Sequence, residues 1–229
     1  MSDRPVLLDL FCGAGGSAVG YARAGFEVTG IDNVFQPRYP FVFVQADALE
    51  YVTAHGHEYD AIHASPPCQL HSAAKRIGNG RPGHRDCIRE TRRLLNESGR
   101  PWVIENVPGA PLLLPMTLCG TQFGLRLRRH RLFESSVFLF GRSEPCNHRD
   151  GDYTVFGHAA QLCGSRGAAY KDASGRTHWR PIRRPLLEGC EAMGIDWMTR
   201  AEISQAIPPA YTKFIGGQLI RVMEAAKST

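Results

Sequence analysis

Val6-Leu7-Leu8-Asp9-Leu10-Phe11-Cys12-Gly13-Ala14-Gly15-Gly16 opens the chain with a short apolar run that stops near an aspartate and breaks into a glycine-rich turn. Such a run reads as a buried strand, and the turn lets the backbone double back into a helix through Tyr21 and Ala22. The pattern then repeats. Phe26 to Ile31 makes a second strand ending at Asp32, Phe41 to Val44 a third ending near Asp47, and Asp60 to Ala64 a fourth that delivers Ser65-Pro66-Pro67-Cys68-Gln69. After a long glycine-rich stretch and a helix carrying Ile88, Leu94 and Leu95, Pro101 to Ile104 reads as a fifth strand leading to Glu105-Asn106-Val107-Pro108-Gly109. Strands alternating with helices predict an α/β, Rossmann-like fold: a mostly parallel sheet covered on both faces, with ligands bound at the carboxyl ends of the strands. The turn, the Cys68 segment and the Glu105 segment all fall at such ends.

The second half is less regular. Leu125 to Phe133 and Ser136 to Phe140 read as two further strands, paired as a hairpin. From Glu144 to Pro185 the chain is rich in Gly, His and Arg, poor in aliphatic residues and without a clear period, which predicts a small irregular inserted subdomain. Thr199-Arg200-Ala201-Glu202 matches a capping box that opens a helix. Pro208 and Pro209 open the last helix, whose stripe Tyr211, Phe214, Ile215, Leu219 and Val222 has helical spacing and should face the sheet.

A chain of 229 residues that is 43% hydrophobic can build a proper core. Its longest apolar runs are too short to span a bilayer and its start lacks a signal pattern, so a soluble, cytoplasmic protein is expected. Seven cysteines without a repeating spacing fit reduced thiols better than a disulfide framework. Cys146, His148, His158 and Cys163 carry metal-ligating groups, but Cys-x-His followed by His-x4-Cys is not a standard ligand pattern, so no metal is expected. The net charge of +5 is concentrated: residues 70–89 and 141–184 carry +4 each, leaving −3 for the remainder. Two basic segments on an acidic body suit a polyanion.

Individual residues carry the chemistry. Gly13, Gly15 and Gly16 let a ligand approach the backbone at a helix amino terminus, as in any dinucleotide-type site. Asp32 stands where a carboxylate accepts bonds from ribose hydroxyls, and Asp47 where one reads an exocyclic amine. Cys68, after two prolines at a strand end, has the stiff and defined placement that a nucleophile needs. Glu105, behind Trp102-Val103-Ile104, should be desolvated and kept able to donate a proton.

Together, Asp9 to Gly16, Pro67-Cys68-Gln69, Glu105-Asn106-Val107 and Arg129-His130-Arg131-Leu132-Phe133 resemble the motifs of the cytosine C5 DNA methyltransferase family, over Leu8 to Glu134 and Met193 to Gln218. The resemblance implies S-adenosylmethionine as cofactor, S-adenosylhomocysteine as its product, and double-stranded DNA as partner of a monomeric enzyme that flips its target base. It implies a cofactor site of Asp9, Phe11, Cys12, Gly13, Ala14, Gly15, Gly16, Asp32, Asn33, Asp47, Ala48, Pro67 and Ile207. It implies Cys68 as the nucleophile toward C6, Glu105 as the group on N3, and Arg129 and Arg131 near the base, with Arg129 favoured. Leu127 replaces a glutamine of that pattern, His71 an aromatic residue, and Gln205 an asparagine before Ala206-Ile207-Pro208-Pro209. The implied domains are a first catalytic and cofactor-binding part at 1–140, a short target-recognition insert at 141–185, and helices at 186–229 returning to the first part. An RNA cytosine methyltransferase and a non-catalytic DNA-binding accessory subunit remain the competing readings.

Overall fold

In a computed structural model, the opening apolar run forms β1 (Val6–Leu10), and the glycine turn feeds α1 (Gly16–Ala24). The structure describes residues 4–67, 87–149, 152–156, 159–162, 168–172, 174, 176–180, 183–184 and 186–228. β2 (Glu27–Asp32), β3 (Val42–Gln45), β4 (Ala61–Ala64) and β5 (Trp102–Asn106) join β1 as parallel neighbours. β6 (Met116–Leu118) and β7 (Arg131–Ser135) complete a seven-stranded sheet of order β3-β2-β1-β4-β5-β7-β6, in which β7 runs antiparallel to both of its neighbours.

Side-chain alternation along the strands sorts the core into two layers. Leu7, Val28, Ala61 and Val103 face α1 and α6 (Pro209–Lys227), packing with Tyr21, Tyr211, Ile215 and Leu219. Leu8, Leu10, Ile31, Ile62 and Ile104 face the other way, onto α2 (Ala48–His55) and α3 (Cys87–Glu97), where Val52, Leu94 and Leu95 meet them. From α3, Arg92 grips the buried Glu134 of β7 through its Nε and Nη2, which ties the helix to the reversed strand.

The second half corrects the expected hairpin. Only Arg131–Ser135 of the first stretch is strand, and it pairs with Met116–Leu118 rather than with Ser136 to Phe140. Leu127 leaves the sheet to form an isolated bridge with Tyr153, while past β7 Val137 and Leu139 pack on the core and Phe138 and Phe140 turn out to solvent, with no ladder to a neighbouring strand among the described residues. Instead the Gln218 side-chain amide accepts from the Phe140 N–H at 2.8 Å and donates to the Phe140 carbonyl at 3.1 Å, standing in for a neighbouring strand.

Among its described residues, the segment expected to be irregular contains five short strands. β8 (Tyr153–Phe156), β9 (Ala159–Leu162) and β12 (Arg183–Arg184) form an antiparallel sheet in the order β12-β9-β8, and β10 (Ala168–Lys171) pairs antiparallel with β11 (Thr177–Arg180). The chain then returns through α4 (Leu186–Met193) and α5 (Arg200–Gln205), the latter opened by the Thr199–Glu202 capping box. Met193, Met198 and Ile203 pack with Leu127, Val155 and Ala14, joining these helices to the first glycine turn.

α1 and α6 approach closely at Gly20. A β-carbon there would lie 1.9 Å from Thr212 Oγ1 and 2.3 Å from the Pro209 carbonyl oxygen. Because one obstacle is backbone, Gly20→Ala should force the helices apart and cost about 3 kcal/mol, the upper part of the overpacking range. Gly217→Ala in α6, whose new methyl group meets nothing nearer than Arg221 Nη1 at 3.8 Å, should be neutral or stabilising. Urea unfolding of the two variants measures the contrast.

Candidate active site

The turn after β1 is held from several sides. Phe11 takes a positive φ of 57°, Gly13 and Gly15 follow at 50° and 86°, and Gly15 caps α1. Asp32, at the end of β2, accepts from the Gly13 N–H at 3.1 Å and from the Val34 N–H at 3.0 Å. Trp197 donates its indole N–H to the Ala14 carbonyl at 2.9 Å. Ile207 is buried against the start of α1, close enough that a β-carbon at Gly16 would lie 2.5 Å from its carbonyl oxygen. On the open side a β-carbon at Gly13 would meet nothing within 4 Å.

This donor set fits S-adenosylmethionine: an open glycine backbone at a helix amino terminus, with carboxylates at the ends of β2 and β3. Of the expected cofactor residues, Phe11, Gly13 and Asp32 are half-buried and Asn33, Asp47 and Pro67 are exposed. Asp9 is different, being fully buried and accepting from Ser17 Oγ on both oxygens at 3.1 and 3.0 Å. Burial pushes its carboxyl up to about 7, against the pull of the Ser17 and Tyr39 hydrogen bonds. It therefore braces the turn from behind. Cys12 is also buried, and burial together with Asp9 and Asp32 pushes its thiol far up, so it stays protonated. Asp47 has a second task that the sequence reading passed over: its Oδ1 caps α2 by accepting from the Leu49 and Glu50 N–H groups at 2.8 and 3.0 Å. Ala48 is buried in the first turn of that helix.

Glu105 lies on β5, one strand from β4, and is 6% exposed. Burial pushes its carboxyl above the usual range, while the positive charges of Arg131 and Arg129 and the hydrogen bonds from Ser65 and Arg131 pull it down, and burial prevails. The Arg131 Nε lies 2.8 Å from Oε1. Ser65 has one hydroxyl proton, and when it is given to Glu105 the Ser65 oxygen must accept from His63 Nε2, 3.0 Å away. The other His63 nitrogen then accepts from the Tyr21 hydroxyl at 3.0 Å. Burial pushes His63 down to about 3, which keeps the ring neutral and suited to this relay. Asn106, beside Glu105, donates to the Pro66 carbonyl at 2.9 Å, so the carboxyl and the Ser65-Pro66-Pro67 stub are fastened together. Pro66 is buried and Pro67 exposed at the same edge.

Cys68 itself, with His71 and the basic stretch through Arg85, lies outside the described residues, as do His158 and Cys163. Of the two arginines, the structure sets Arg131 against Glu105. Arg129 is buried and donates to the carbonyls of Val155 at 2.6 Å and Ser204 at 2.7 Å, joining the sheet edge to β8 and α5. That engagement takes two of the five guanidinium donors, and the positive charge of Arg129 still acts on Glu105. Tyr21, His63 and Ser65 were not anticipated. The visible signal was a polar His63 within an otherwise apolar strand, Ala61-Ile62-His63-Ala64.

Neither a protein-family model nor a curated protein matches the sequence. Solved structures do match in shape. A protein described as a DNA modification methyltransferase encoded within an E. coli prophage superimposes with a TM-score of 0.61 at 16% identity, over 96% of this chain and 99% of that one. The S. pombe Dnmt2 methyltransferase gives 0.63 at 12% identity, over 96% and 99%. The Entamoeba histolytica methyltransferase EhMeth gives 0.59 at 12% identity, over 98% and 99%. With the strand order and the reversed β7, these likenesses show that the chain has the Rossmann-like fold of class I methyltransferases.

Proposed function

We propose that this protein is a DNA (cytosine-5-)-methyltransferase acting on a base flipped out of duplex DNA. The observation that carries the reading is Glu105: a buried carboxyl with a raised proton affinity, paired with Arg131 and bound through Ser65 and Asn106 to the stub that leads into Cys68. Ring carbon C5 of cytosine is a poor nucleophile until C6 is attacked and N3 gains a proton. Cys68, as thiolate, forms the bond to C6 while Glu105 gives its proton to N3, and Arg131 balances the charge developing along that edge. C5 is then the nucleophilic end of an enamine. S-adenosylmethionine, when bound at the Gly13–Asp32 turn, supplies the methyl group. Loss of the C5 proton to solvent, departure of the thiolate and return of the N3 proton to Glu105 restore the ring and the enzyme. The neutral His63 and Ser65 hold the Glu105 carboxyl in place throughout.

The test uses a duplex DNA and an RNA, each carrying 5-fluorocytosine, incubated with the protein and S-adenosylmethionine. Fluorine cannot leave as the C5 proton does, so attack at C6 ends in a stable adduct visible on a denaturing gel. An adduct with duplex DNA is the expected result. An adduct with RNA alone would transfer the same chemistry to RNA, and none with either would show a fold without a working nucleophile.

A further inference from the structure

His130, one residue before Arg131, turns its ring toward a different group. Cys119 lies just past β6, where it caps the short 3-10 turn Gly120–Phe123, and is fully buried. Cys146 and His148 belong to the exposed passage between β7 and β8. The four side chains converge, with all ligand atoms within 4.8 Å of one another. Cys119 Sγ is 3.4 Å from His148 Nε2, Cys146 Sγ is 3.4 Å from His130 Nε2, and the two rings stand at 76° with centroids 5.0 Å apart.

We propose that Cys119, His130, Cys146 and His148 form a structural zinc site fastening the start of the insert to the edge of the main sheet. The donor set is Cys2His2, the composition of closed four-coordinate sites. Tetrahedral bonds of about 2.3 Å to sulfur and about 2.05 Å to nitrogen place sulfur and nitrogen ligands about 3.5 Å apart, close to both distances found. Both histidines offer Nε2. Thiol–imidazole hydrogen bonds alone are a weak reason for two exposed side chains to fold back onto a buried sulfur. Zinc binding replaces the two thiol protons, which leave to solvent, and two thiolates neutralise the metal's charge. Thr121 Oγ1, 3.5 Å from Cys119 Sγ, is placed to donate to that thiolate. Four protein ligands leave no open position, so the metal holds chain rather than activating water. The spacing, Cys-x10-His-x15-Cys-x-His, bridges two strands and the passage after them, which is why a search for close ligand pairs led toward His158 and Cys163 instead.

Full-length protein purified under reducing conditions without chelator should contain about one zinc per chain by plasma mass spectrometry. Exchange for cobalt(II) should produce the visible bands of a tetrahedral site with thiolate-to-metal charge transfer. Because Cys119 is buried, the exposed ligands carry the test: Cys146→Ser and His148→Ala should each weaken zinc binding by at least about 100-fold, beyond the effect of an outer-shell partner. Cys190→Ser, outside the cluster, should leave uptake unchanged. Folded protein that takes up neither metal, an octahedral cobalt spectrum, or a Cys119–Cys146 disulfide in the reduced preparation would overturn the proposal.

Discussion

Glu105→Gln is expected to lower kcat/KM on a cytosine-containing duplex by about 10²- to 10⁴-fold, the usual worth of a positioned general acid. Glutamine keeps the shape of the side chain but has no carboxyl proton to place on N3. The loss should fall mainly on turnover, since binding of S-adenosylmethionine depends on the turn after β1. The fold should survive, because the variant removes a carboxyl whose burial already disfavours its charge. The pH profile supplies a second readout. A raised proton affinity keeps the acid form present to higher pH than in a solvated glutamate, so activity from this group declines on the alkaline side. In the variant that limb should disappear. Single-turnover rates across pH for both proteins test this, and an unchanged rate in Glu105→Gln would remove Glu105 from the chemistry.

The other large effect concerns stability. Asp9, raised from 3.8 to about 7, keeps in the folded state a proton that the unfolded chain releases. Its contribution is fully present below pH 4 and is lost as pH rises toward 7, on the order of 4 kcal/mol in all. His63, lowered from 6.5 to about 3, behaves oppositely: the unfolded chain takes up a proton that the folded chain refuses. Its contribution is present above pH 6.5 and is lost as pH falls through the window down to 3. Between about pH 4 and pH 6.5 the two slopes oppose each other, about 1.4 kcal/mol per pH unit each. Relative to the parent, Asp9→Asn should therefore gain stability as pH rises through this window, and His63→Gln should show the reverse trend. Urea unfolding at several pH values measures both. Stability curves that stay parallel to the parent's would mean that neither group has a displaced proton affinity in the folded protein.

The first half of the sheet was legible because each strand there is an apolar run ended by a charged or glycine residue. β1 to β5 fall within two residues of their expected bounds at either end. The antiparallel edge was not legible. β6 is three residues long, and a partner so short leaves no periodic signature, so β7 seemed to need Ser136 to Phe140 beside it. The insert misled for a related reason: its strands are two to four residues long, too brief for alternation to emerge. At the site, Glu105, Asp32 and the glycine turn were readable because they stand at strand ends. Arg129 and Arg131 were harder to tell apart, since residues two apart look equivalent in sequence, and only the positions of Val155 and Ser204 show where one of them is engaged. Cys146 and His148 were legible as ligand types, but Cys119 and His130 were not, since the pairing of β6 with β7 is what brings those two side by side.

The amide of Gln218 closes the backbone at Phe140 just where the polypeptide departs for the insert, and α4 with α5 restores it to the body below. The exit is clamped by the body alone, whereas the return shares its packing with β8, where Val155 meets Met193, Met198 and Ile203. A lineage, or an engineer, can lengthen, shorten or exchange the part of the module beyond β8 without renegotiating the interior, provided β8 and the glutamine clasp are retained.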